Sequence, residues 1–184
     1  HRWHGSPEQF GLSAAILLGD LSLVWTDDIV ATAPIDADAH RRVQRVWSAI
    51  RTEVLGGQYL DIVNEAGGDD STEAAYRVME FKTAAYTVAR PLELGARLAG
   101  ASEQLVSTLR AIGHDLGIAF QLIDDALDYG GTSTKLGKNV GDDFREGKIT
   151  LPVVLSFRRG SETERDFWRK ALEKGEIADG DLDT

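Results

Sequence analysis

Asp124, Asp125 and Asp128 close the run His114-Asp-Leu-Gly-Ile-Ala-Phe-Gln-Leu-Ile-Asp-Asp-Ala-Leu-Asp128. At helical spacing His114, Gly117, Gln121, Asp124 and Asp128 form one polar line, with Asp125 on its edge. Leu116, Ala119, Phe120, Ile123 and Leu127 make an apolar stripe beside it, expected to be buried. Ile118, Leu122 and Ala126 add a second apolar face. Carboxylates crowded on a buried face repel one another, and burial raises their pKa values unless a cation lies between them. A hard divalent ion with oxygen ligands, Mg²⁺ above all, answers that need. Gly117 and Gln121 would leave room, and one amide, on the path to the metal. An acidic helix end can also be a solvated exit from a bundle. The apolar flanks and the Gly- and Lys-rich stretch that follows favour the metal.

Other polar groups fall where apolar ones are called for. Lys82 lies on the face of Ala75, Val78, Met79 and Ala89, and unless it snorkels it needs an anionic partner there. Gln58 and Asp61 continue the stripe Val43, Val46, Trp47, Ile50 and Val54. From Phe10 to Trp25 the chain is apolar nearly all round, which predicts a central helix of the bundle; Asp20 interrupts it, where a place in the site and a simple ion pair are both open. Asp27-Asp28 reads as surface. From Tyr129 to Lys148 the chain is rich in glycine and carries Lys135, Lys138, Arg145 and Lys148. Long loops in compact domains are commonly functional, and glycines let backbone amides approach a ligand. Together these groups predict one polar cavity with acids for Mg²⁺, cations for phosphate oxygens and apolar walls. It would suit a diphosphate head on a hydrocarbon tail. A di-iron bundle is excluded, because no Glu-x-x-His pair exists.

The elements that must position these groups are helices. Only four prolines interrupt 184 residues, and alternating strand patterns are absent. Ser6-Pro7-Glu8 starts one helix, Asp36 a second running to about Val63, and Ser71 or Asp70 a third that Pro91 kinks or ends. A fourth spans Glu103 to Asp128, an apolar helix restarts at Leu151-Pro152, and the tail is charged and amphipathic. The net charge of −10 argues against a nucleic-acid or anionic-membrane surface. No cysteine offers a thiolate or disulfide. No signal peptide or apolar run of membrane-spanning length is present, which predicts a cytoplasmic protein.

Gly117 to Asp128 and Leu136-Gly-Lys-Asn-Val-Gly-Asp-Asp-Phe-Arg-Glu-Gly-Lys-Ile-Thr-Leu-Pro152 resemble the trans-isoprenyl diphosphate (polyprenyl) synthases. Asp124, Asp125 and Asp128 match that family's second aspartate-rich motif, with Phe120-Gln121 before it. Lys82-Thr83 matches its Lys-Thr pair, Gly57-Gln58-x-x-Asp61 its Gly-Gln segment, and Gly19-Asp20 its Gly-Asp helix. The front half looks closer to farnesyl or geranylgeranyl synthases, the stretch after Asp124 to octaprenyl-type enzymes. The resemblance implies an all-α, antiparallel helical bundle around a central cavity, in a homodimer. It implies condensation of isopentenyl diphosphate with an allylic diphosphate through ionisation, condensation and elimination. In that scheme Asp124, Asp125 and Asp128 hold Mg²⁺. Lys82, Gln58, Phe120, Gln121, Lys138 and Lys148 meet the substrates, and Lys82, Thr83 and Gln121 serve the chemistry. The family's first aspartate motif would lie upstream of His1. The chain therefore reads as a single all-α domain over residues 1–184, a fragment without the helices that carry it. A non-catalytic partner subunit of a heteromeric synthase is the alternative, and a terpene cyclase with a similar metal site a more distant one.

Overall fold

The computed structural model describes residues 4–130, 143 and 148–174. Helix α1 (Pro7–Ala31) begins where Ser6 accepts the Gln9 amide at 3.3 Å, with Pro7 in the first turn, where no N–H is needed. Helix α2 (Ala37–Gly67) is capped by Asp36, whose carboxylate accepts the amides of Asp38 at 2.9 Å and Ala39 at 2.8 Å. It stops at Gly68, whose φ of 64° a side chain would resist. Ser71 then opens a rod by accepting the Ala74 amide at 3.0 Å. The rod is continuous but changes pitch: α3 (Thr72–Val78), a π-helical segment (Met79–Ala89) and α4 (Arg90–Leu98). Pro91 therefore does not end the helix. It stands in the first turn of α4, where the wide pattern gives way to the α pattern and a missing N–H is tolerated. Helix α5 (Glu103–Gly130) returns along the rod, followed by α6 (Leu151–Arg159) and α7 (Glu162–Lys174). Among the described residues there is no strand, and no helix is long and apolar enough to cross a membrane.

The rod lies between α2 and α5 and runs antiparallel to both. On the α2 side, Arg42 Nε donates to the Arg97 carbonyl at 2.8 Å near one end, and Asp61 pairs with Lys82 near the other. On the α5 side, Gly113 meets Ala89 and Gly117 meets Ala84. Val43, Val46 and Ile50 of α2 are buried as their spacing predicts. Met79, Ala84 and Ile118 form a compact core against which Leu151 packs. Arg90 joins α2 to α4 as a largely covered cation. It donates to Glu53 through Nε at 2.8 Å and through a second nitrogen, and also to Glu93. Hydrogen bonding to Glu53 raises the Arg90 pKa still further above its usual range, with Glu93 adding to it.

Two expectations about burial are overturned. Helix α1 is not central: none of its residues is buried, and Leu17 is 67% exposed. A helix that is apolar all round needs cover on every side, and within this chain α1 is tied to α2 near its C-terminal end. Asp27 makes that tie, accepting Trp47 Nε1 at 2.5 Å and pairing with Arg51, so it is not idle surface. The apolar stripe of α5 is exposed as well, with Phe120 at 55%. Gly113 and Gly117 win the inward position because small residues let α5 press its backbone on the rod, and Ile118 is buried beside them. That rotation carries the acidic line inward with them.

Candidate metal and diphosphate site

Four elements supply the polar groups that converge at the C-terminal end of α5. From the π-helical segment, Thr83 Oγ1 donates to Gln121 Oε1 at 2.7 Å. Gln121 Nε2 passes the chain on to Asp125 Oδ1, also at 2.7 Å. Lys82, one residue before Thr83, turns the other way and donates to Asp61 of α2. The half-buried lysine thus has an anionic partner. Beyond α5, the Asp143 amide donates to Asp128 Oδ2 at 3.2 Å, and Lys148 Nζ donates to Asp143 Oδ1 at 2.7 Å. A cleft of about 100 Å³ opens among Asp61, Lys82, Asp125, Lys148 and Leu151.

The acids are sequestered to different degrees. Asp128 is fully buried, Asp125 is 3% exposed and Asp124 is half-buried, with no hydrogen bond among the described residues. Burial pushes the Asp125 carboxyl above the usual carboxylate range, against the hydrogen bond from Gln121 that favours the charged form. The negative charges of Asp143, Asp124 and Asp128 push it further in the same direction. A cluster of oxygen-only donors this rich in charge fits a hard divalent cation. Among the described residues no three such side chains enclose a metal by themselves.

Several predicted residues stand elsewhere. Gln58 is exposed, although Asp61 one turn on faces the cleft, and Phe120 is exposed although Gln121 beside it is in the chain of hydrogen bonds. Asp20 is exposed on α1 and does not join the site. Lys138 lies outside the described residues, as do Lys135 and Arg145. Gly117 does not make room for a ligand: a Cβ there would stand 2.8 Å from the Ala84 Cβ. Asp143 was missed from the sequence, where Gly141-Asp-Asp143 read only as part of a glycine-rich loop; its spacing of five from Lys148 was the available signal. A larger cleft of about 620 Å³ lies toward the N-terminal half of α5, among Glu53, Arg90, Glu93, Arg110 and His114. None of the acids of α5's C-terminal end lines it.

A model of one protein family, described as polyprenyl synthetase, matches residues 3–184. The chain belongs to that family. An octaprenyl diphosphate synthase of Haemophilus influenzae is 34% identical over 169 residues, covering 91% of this chain and 49% of the relative. A geranylgeranyl diphosphate synthase of Cyanophora paradoxa is 35% identical, covering 78% of this chain and 49% of the relative. Among solved structures, a geranylgeranyl pyrophosphate synthase of Corynebacterium glutamicum, complexed with isoprenyl diphosphate and magnesium, superposes with a TM-score of 0.90. It is 44% identical, and the match covers 98% of this chain and 51% of that one. The chain thus spans about half the length of the relatives it matches.

Proposed function

We propose that this polyprenyl synthetase chain supplies one wall of a prenyltransferase site that condenses isopentenyl diphosphate with an allylic diphosphate. The allylic partner would yield farnesyl, geranylgeranyl or longer products. The observation that carries this reading is the convergence of Asp125, with Asp124 and Asp128 on the same helix end, upon two lysines at one cleft. Asp124, Asp125 and Asp128 would hold Mg²⁺, which when bound neutralises charge on the departing diphosphate. Lys82 and Lys148, joined by Lys138 on the strength of the resemblance, would donate charge-assisted hydrogen bonds to its oxygens. Each described lysine is set against a carboxylate, Asp61 or Asp143, which fixes its position before a ligand arrives. Thr83 gives its proton to Gln121, so its oxygen lone pairs remain to steady positive charge developing on the allyl group. Apolar walls beside the acids would keep water from a carbocation. Gln58 and Phe120, substrate contacts on the strength of the resemblance, stand exposed in this chain.

The bare apolar surface of α1 supports a homodimer, and the absence of a membrane-spanning helix among the described residues agrees with a cytoplasmic setting. Relatives that bear synthase names favour a catalytic role over a non-catalytic partner subunit.

The test is Asp124→Ala in the intact protein, followed by incorporation of labelled isopentenyl diphosphate into farnesyl diphosphate. Activity should fall by a factor of about a hundred or more, the loss expected when a transition-state charge contact is removed. Activity within about tenfold of the unaltered protein, the change one weak contact would make, would sink the metal assignment.

A further inference from the structure

We propose that Gly57 is a positioning residue: by letting α2 rest on the Phe81–Lys82 peptide, it holds the π-helical turn in the register that delivers Lys82 to Asp61 and Thr83 to Gln121. The inference rests on the roles given to Lys82 and Thr83 above. Adjacent residues on this rod must reach two different helices, α2 on one side and α5 on the other. The rod meets that demand in its π-helical stretch, Met79–Ala89, a geometry that is uncommon and unfavourable over such a length. Nothing in the run Met-Glu-Phe-Lys-Thr-Ala-Ala-Tyr-Thr-Val-Ala asks for it, so its cause is tertiary.

The contact with α2 is where that cause acts. A Cβ on Gly57 would stand 2.7 Å from the Phe81 carbonyl carbon and 2.8 Å from the Lys82 Cα, and nearer still to the Lys82 amide nitrogen. The obstruction is backbone, so no rotamer change relieves it. Either α2 must retreat, taking Asp61 one turn along the same face with it, or the peptide must turn and swing Lys82 aside. Both outcomes part Lys82 from Asp61. Gly113 provides a matched comparison on the opposite side. A Cβ there would stand 2.6 Å from the Ala89 Cα, a backbone clash with the same segment, less crowded than at Gly57, and at its far end from Lys82.

The experiment compares Gly57→Ala with Gly113→Ala. Circular dichroism and melting report stability, titration calorimetry reports affinity for Mg²⁺-pyrophosphate, and the NMR signal of the Lys82 ε-methylene, assigned through Lys82→Arg, reports its surroundings. Both variants should melt lower. Gly57→Ala alone should move the Lys82 signal to that of an unpaired lysine and weaken Mg²⁺-pyrophosphate about tenfold or more, the factor expected for one lost charge-assisted contact. Equal effects in the two variants, or an unmoved Lys82 signal in Gly57→Ala, would overturn the proposal. So would a Gly57→Ala protein that loses its helices, because Gly57 would then be a residue needed for folding alone. If the unaltered intact protein does not bind Mg²⁺-pyrophosphate, the proposed function fails, and the Lys82 signal still decides the role of Gly57.

Discussion

Asp125 concentrates the conflict on which the site depends. Its carboxylate is nearly inaccessible, accepts one hydrogen bond from Gln121, and is surrounded by other acids. Such a group is destabilising unless a cation offsets the charge. Asp125→Asn keeps an oxygen to accept from Gln121 and removes the repulsion. In metal-free buffer near neutral pH the variant should therefore melt higher than the unaltered protein. Adding Mg²⁺ should raise the melting temperature of the unaltered protein and leave the variant nearly unmoved. A variant that melts lower without metal, or gains as much from Mg²⁺, would show that the acid is already balanced within the fold. Lys82 makes the complementary case, since its partner Asp61 comes from a helix that the local sequence gives no reason to bring near.

At the scale of elements, ends and joints carry the specific interactions. Asp36 caps α2, and hydrogen bonding from the Ala39 amide holds its carboxyl below the usual carboxylate range. A group with a lowered folded pKa contributes stability above its unfolded pKa, and that contribution is lost as pH falls through the folded value. Asp36→Asn, which caps as well without a charge, should match the unaltered protein near neutral pH and lose less stability under acid. Melting curves at descending pH check this, and parallel curves would mean that the Asp36 charge adds nothing to the cap. The joint between α2 and α4 is the Arg90 cluster with Glu53 and Glu93. Arg90→Ala strands one buried carboxylate, Glu93, and one half-buried, Glu53, and should cost on the order of 3 kcal/mol, measured by urea unfolding. A cost below about 1 kcal/mol, the value of an exposed pair, would mean that water reaches the cluster.

For the whole molecule the telling surface is α1, none of whose twenty-five residues is buried within the chain. Exposed apolar area of this extent marks an interface. Leu17 stands well out into solvent, and Leu17→Glu should convert a dimer into monomers without loss of helix content. Sedimentation equilibrium with circular dichroism makes the comparison. An unaltered protein that is already monomeric would remove the dimer from the proposal. The exposed stripe of α5 behaves in the same way, and relatives about twice as long have further chain with which to cover such a face.

Local signals were sufficient for much of this protein. Ser6, Asp36 and Ser71 cap the helices that their types and positions announce, because capping involves only a few neighbouring residues. Helical spacing likewise placed Gln121, Asp124 and Asp128 on one line and put Lys82 where it required an anion. Which face turns inward was beyond such reasoning. The bulky stripe of α5 looked like core, yet Gly113 and Gly117 took that place, because backbone can approach backbone only where side chains are absent. The π-helical segment, the place of Pro91 within a continuing rod, the partner of Lys82 and the joining of Asp143 to Asp128 all depend on residues distant in sequence. Spacing fixes which groups share a face; only the close approach of α2 and α5 to the rod decides which face meets which.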